Sequence, residues 1–198
     1  MRTAAQITNP FYVDVDLVHG SNVVTTGLTV DPDATPGYKF GEDQNIFENR
    51  NELSYLKAYT VVDGHYLVGN TLTPDELAML IPVEFYAPDN ASGYVFRINE
   101  SSDLDNLESL ILFDSQAGTA TNLLQDDYPF TVDAAGLVED RFTINVTLKQ
   151  ENNTATDVDA VDETTDKPLK FFYQQKMYIL REGVIYDATG KRVREINK

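Results

Sequence analysis

Few residue types in this chain could do acid–base, nucleophilic or metal chemistry. His19 and His65 are its only histidines, and each stands beside a glycine, in His19-Gly20 and Gly64-His65. A catalytic or metal-binding pair needs both imidazoles to converge, and two separate turn positions give no reason for convergence. There is no cysteine, which removes thiolate nucleophiles, thiolate metal sites and disulfides together. Hydroxyls are plentiful, but no G-x-S-x-G elbow, glycine-rich phosphate loop or H-E-x-x-H frames them. The carboxylate pairs Glu42-Asp43 and Asp126-Asp127 are adjacent in sequence, so on a strand their side chains point to opposite faces. Two carboxyls flanking a glycosidic bond must face one another. The expectation is a protein without catalytic residues, cofactor or metal.

Two binding chemistries are worth weighing. Asp31-x-Asp33-x-Thr35-x-Gly37, with Glu42 at the twelfth position, resembles a calcium loop with alternating oxygen ligands. Its glycine falls at seven rather than six, and Pro32 and Pro36 interrupt it, so it reads as a solvated acidic loop. Exposed tyrosines can stack on sugar rings, and Tyr12, Tyr38, Tyr55, Tyr59 and Tyr66 are the candidates for a glycan partner. Tyrosine is also a common half-buried strand residue, and the absence of tryptophan counts against a sugar platform.

The net charge of −17 repels phosphate backbones and anionic lipid headgroups, so neither nucleic acid nor a membrane surface is expected as a partner. No run approaches the roughly 20 apolar residues of a membrane-spanning helix. Residues 1–10 lack an apolar stretch of signal-peptide length. The expectation is either that the protein is not exported by that route or that the chain starts within a longer precursor.

The elements that must position these residues are strands. Residues 11–18 alternate, with Phe11, Val13, Val15 and Leu17 on one face and Asp14 and Asp16 on the other. Residues 22–30 return as a β-branched strand with Gly27 as a bulge or bend. Asp63-Gly64 predicts a hairpin between strands 55–62 and 65–72. Thr73, Pro74 and Glu76 carry the start signals of one or two helical turns. Further strands are expected at 81–86, 94–99, 107–114, 128–132 and 140–148. In the last of these, Phe142, Ile144, Val146 and Leu148 share a face. Many short strands with almost no helix predict an all-β fold. The expected form is an antiparallel β-sandwich, jelly-roll or immunoglobulin-like, over residues 1–149.

The composition then shifts. Residues 150–168 contain no aromatic residue and six carboxylates against Lys167. Such a segment cannot bury enough apolar area to offset its ordering entropy, and it reads as a flexible acidic linker. Residues 169–198 turn apolar again and predict a small β-meander of two or three strands. A sheet that small is marginal in water unless it packs on something. This tail therefore calls for a docking partner, either a neighbouring domain or a neighbouring subunit.

The tail supplies a resemblance. It carries an apolar strand (Met177, Tyr178, Ile179, Leu180) followed by Arg181, Gly183, Tyr186, Gly190 and Val193. That pattern is similar to the C-terminal sorting domain of the type IX (Por) secretion system of Bacteroidetes, in shortened form and over about 25 residues. The body resembles the β-sandwich that often precedes such tails, through Y-K-F-G-E-D (38–43), L-K-A-Y-T-V-V-D-G-H-Y-L (56–67) and L-I-L-F-D-S-Q-A-G-T-A-T-N-L-L (110–124). Y-P-F-T-V (128–132) and D-R-F-T-I (140–144) add to it. The resemblance implies a secreted or surface-displayed, non-enzymatic accessory module. Its tail would then be read by export machinery, used as an anchor or docked on a partner. The alternatives are a carbohydrate-binding module and an adhesive or assembly subunit that uses strand addition.

Overall fold

The computed structural model describes residues 7–149 other than Met79, and within 169–195 all but Gln174, Gln175, Glu182, Gly183 and Ala188. The linker expected at 150–168 lies outside the described residues. Two compact units emerge: Ile7–Leu148, and a second that includes the strands from Leu169 onward.

The first unit is all-β. Its strands are β1 (Phe11–His19), β2 (Asn22–Val30), β3 (Gln44–Asn45), β4 (Lys57–Val62), β5 (His65–Leu72), β6 (Ile81–Ala87), β7 (Ser92–Ile98), β8 (Leu107–Asp114), β9 (Thr119–Asn122), β10 (Tyr128–Thr131) and β11 (Gly136–Leu148). Local sequence explains most of these limits. Asp63 and Gly64 both adopt positive φ, 50° and 78°, which is the turn whose twist suits a two-residue hairpin. The capping residues at Thr73 produce a single 3₁₀ turn, Glu76–Ala78. There the Glu76 carboxylate reaches back to the Thr73 backbone N–H at 2.8 Å.

Backbone hydrogen bonds run without a break through ten strands in the order β10-β7-β1-β2-β5-β4-β6-β11-β8-β9, with β3 added beside β5. This is one mixed sheet, nearly closed into a barrel. The expectation of a wholly antiparallel sheet is corrected by β2 and β5, which pair in parallel from Gly27↔Gly69 to Val30↔Leu72. Strand patterns fix which face is apolar but not which strand a segment returns to. Gly27, expected as a bulge, sits in unbroken register opposite Asp14. A β-carbon there would lie 3.0 Å from Asp14 Oδ1, so the glycine serves close approach. The irregularity falls instead in β11, whose pairing with β6 shifts between Val138 and Phe142, around Asp140 at φ 55°.

The interior follows the alternation. Phe11, Val13, Val15 and Leu17 are buried, as are Phe142, Ile144 and Val146, and burying each such side chain contributes about 1.5–3 kcal/mol. Phe85 of β6 packs edge-on against Phe96 of β7 and Phe130 of β10, at 6.0 and 5.8 Å between ring centres. Phe130 meets Phe142 of β11 at 4.8 Å.

The seam between the two end strands is closed by side chains. The Tyr128 and Thr119 hydroxyls lie 2.9 Å apart, joining β10 to β9. Arg141 of β11 donates to the exposed edge carbonyl of Thr131 in β10 at 2.8 Å. Its guanidinium also grips Asp114 of β8 through Nε and Nη2, at 3.1 and 2.7 Å, and lies over the rings of Phe130 and Phe142. Asp114 is fully buried, and it accepts further from the Tyr128 hydroxyl and the Gln116 and Ala117 amides. Asp16, expected on the outer face, is buried too. The chain after β7 continues alongside β1, with Asn99 N–H bonding the Asp14 carbonyl and the Asn99 amide donating to Asp16 at 2.9 Å.

The second unit holds β12 (Leu169–Tyr173), β13 (Lys176–Arg181), β14 (Val184–Asp187) and β15 (Arg192–Glu195). They form a four-stranded antiparallel meander in chain order, one or two strands more than the sequence predicts.

Candidate functional site

The tail residues singled out from sequence occupy consecutive strands of the meander. Met177, Tyr178, Ile179, Leu180 and Arg181 lie on β13, where Ile179 stands directly opposite Tyr186 of β14. Both of these side chains are half-buried. Gly183 lies outside the described residues. Gly190 has φ 81°, in the left-handed region that favours glycine. Val193 lies where the β14–β15 register shifts.

The turn before β15 is organised by Asp187. Its Oδ1 accepts from the Thr189 amide at 2.9 Å, the Thr189 hydroxyl at 2.6 Å and the Lys191 amide at 3.0 Å. The Asp187 amide in turn bonds the Lys191 carbonyl. The Thr189 hydroxyl first, then the Lys191 amide, holds the Asp187 carboxyl below the usual carboxylate range. The D-A-T-G-K stretch thus builds its own turn.

The calcium-like loop is spent on backbone amides. Glu42 accepts from both the amide and the hydroxyl of Thr35, at 2.7 and 2.9 Å, and these bonds depress its carboxyl. Asp33 N–H bonds Asp31. Gly37 N–H bonds Glu76, Tyr38 N–H bonds Asp63, and Lys39 N–H bonds Asp43. These oxygens face donors, the reverse of what a cation requires. Among the described residues no three or more His, Asp or Glu side chains group as a metal shell. His19 stacks on Tyr94 at 4.0 Å and His65 on Tyr38 at 3.5 Å, each with its own aromatic partner. Asp126 and Asp127 lie in the loop between β9 and β10.

Of the tyrosine candidates, Tyr59 is fully buried and Tyr12 is exposed on β1. Tyr66 and the His65 that Tyr38 stacks on belong to one neighbourhood. There a cleft of about 400 Å³ is lined by residues 45–51 and 64–66 except Phe47. Among its lining residues is Tyr66, whose ring lies under the Arg50 guanidinium at 4.2 Å. Arg50 is itself neutralised by Glu84 at 3.1 Å and Glu139 at 2.6 Å. The wall is pinned by the Ile46 amide on the Tyr66 carbonyl at 2.8 Å and by Asn45 on the Tyr38 hydroxyl at 2.8 Å. A 3₁₀ turn, Arg50–Glu52, continues it, capped by the Asn49 side chain. At the rim, Glu48 accepts from the Tyr55 hydroxyl at 2.8 Å.

Sequence reasoning picks out Tyr38, Tyr55, Tyr66 and His65 but misses Asn45, Asn49 and Arg50. The available signal is N-I-F-E-N-R-N-E (45–52), a polar run around one aromatic that fits neither strand nor helix.

Compared with known proteins, the chain matches no family model, no curated protein and no solved structure. The class defined by the structure is an all-β protein with a nearly closed body and a separate terminal meander.

Proposed function

We propose that this chain is a non-enzymatic accessory module of a secreted or cell-surface bacterial protein, with its C-terminal meander serving export, anchoring or docking. The observation that carries the reading is the tail. Four short strands and a self-built Asp187–Lys191 turn belong to a compact unit other than the body. In sequence, Arg181, Gly183, Tyr186, Gly190 and Val193 are spaced in a way that resembles type IX sorting tails. In the order of that sheet β12 and β15 are the outer strands, and the edges of outer strands are where a receptor strand adds.

The finer fold reading belongs to the same proposal, with the body as a flattened sandwich, jelly-roll or immunoglobulin-like. It is supported by β6 and β7, which are consecutive yet unpaired, and whose Phe85 and Phe96 meet across the interior.

The test fuses residues 169–198 to a periplasmic reporter in a type IX-competent bacterium. Surface or medium localisation of the reporter is the expected result. Retention in the periplasm, with the reporter intact, overturns the export role.

A further inference from the structure

We propose that the cleft over Tyr66 is a glycan-binding site that takes a neutral mono- or disaccharide unit. The inference rests on residues of the body and is independent of the export role of the tail. Its volume, about 400 Å³, lies within the range of roughly 300–1,000 Å³ usual for small-ligand clefts.

Three features define the ligand chemistry. The first is charge. The Arg50 charge is paired with two carboxylates, both through Nη1, and Glu48 has Lys57 at 3.7 Å. The cleft therefore offers no free cation to an anion, and a chain of net charge −17 repels anions at long range. The second is unused hydrogen-bonding capacity of both polarities. The His65 ring nitrogens, the Tyr66 hydroxyl and the Asn51 side-chain carboxamide make no hydrogen bond among the described residues. Sugar hydroxyls donate and accept, and so match such a mixed set. The third is flat apolar surface. Phe47 stands between the lining residues Ile46 and Glu48 and is 99% exposed, and Tyr55, bonded to Glu48, is half-exposed. A fully exposed phenylalanine on a segment fixed at Ile46 and Asn49 is a platform for a sugar ring's C–H face.

The wall is preorganised. The Ile46–Tyr66 backbone bond, the Asn45–Tyr38 bond and the Asn49 cap hold it before any ligand arrives, which lowers the ordering entropy charged against binding.

The experiment is an array of neutral host, plant and microbial glycans probed with the full chain, followed by affinity electrophoresis in gels containing the best neutral polysaccharide. Wild type is expected to bind at least one neutral class. Phe47→Ala and His65→Ala should each weaken retardation about fivefold to tenfold, the loss of one stacking or hydrogen-bonding group. Phe47→Ala removes a fully exposed side chain, so its melting temperature should equal that of the wild type and its result reads binding alone. No hit on any neutral glycan overturns the proposal, as does exclusive binding to acidic glycans. Retardation unchanged in Phe47→Ala and His65→Ala also overturns it.

Discussion

Replacing Arg141 with methionine tests how the barrel seam is closed. The change keeps an apolar stem between Phe130 and Phe142 and removes the guanidinium. Three bonds to Asp114 go with it, along with the bond to the Thr131 carbonyl. Asp114 is fully buried, so its charge is left in the interior with only amide and hydroxyl partners. Breaking a buried ion pair on one side costs about 3–5 kcal/mol. For a domain of this size, each kcal/mol lowers Tm by roughly 2–4 °C, so the loss at pH 7 should be roughly 6–20 °C, read by thermal circular dichroism. The pH dependence makes the reasoning specific. In the wild type, burial pushes the Asp114 carboxyl up. Arg141, the Ala117 amide and the Tyr128 hydroxyl outweigh it, so the pKa lies below its ordinary 3.8. A carboxyl depressed on folding contributes stability that is present above its unfolded pKa and is lost as pH falls through the folded value. Without Arg141 burial dominates and the folded pKa rises, so the variant should recover stability relative to wild type between pH 7 and pH 5. Adding Asp114→Asn should restore part of the loss at pH 7. A deficit that is the same at pH 5 and pH 7, or one below about 2 °C, refutes the account.

Glu84 should respond with the opposite sign. Burial raises its carboxyl above the ordinary 4.5, with Arg50 only partly offsetting it and Glu139 adding to it. A folded pKa above the unfolded one makes ionisation at neutral pH a cost that disappears on acidification. The Tm difference between Glu84→Gln and wild type should therefore be more positive at pH 7 than at pH 4, and equal differences would sink the assignment. In the tail, Asp187→Ala removes the acceptor shared by Thr189 and Lys191. Hydrogen exchange at both amides should accelerate, and unchanged protection would show that backbone bonds alone hold the turn.

Part of the candidate site was legible in the sequence because it is local. Asp63-Gly64 specifies a hairpin through positive φ, which places His65 and Tyr66 at the start of β5. D-A-T-G-K specifies its turn through one carboxylate. Arg50 was not legible, since its partners Glu84 and Glu139 and its ring contact Tyr66 come from distant segments that only the assembled sheet brings together. Asp16 shows the same limit. Alternation assigns it to the outer face, and Thr25 of β2, Arg97 of β7 and Asn99 after β7 gather on it only once the sheet is assembled.

By itself, the sequence determined most of the strands and which of their faces is apolar, because a two-residue period and turn residues act over a few positions; the short β3 and β9, of two and four residues, are too brief to show that period. It also determined the acidic surface and the separate apolar tail. The tertiary structure decided that β2 and β5 run parallel and that the sheet curls until its ends nearly meet. It decided that side chains, Arg141 and Tyr128 with Thr119, rather than a backbone ladder, bridge the remaining gap. Those outcomes depend on which distant strand edges find one another, and that choice is settled by packing the whole set of side chains at once.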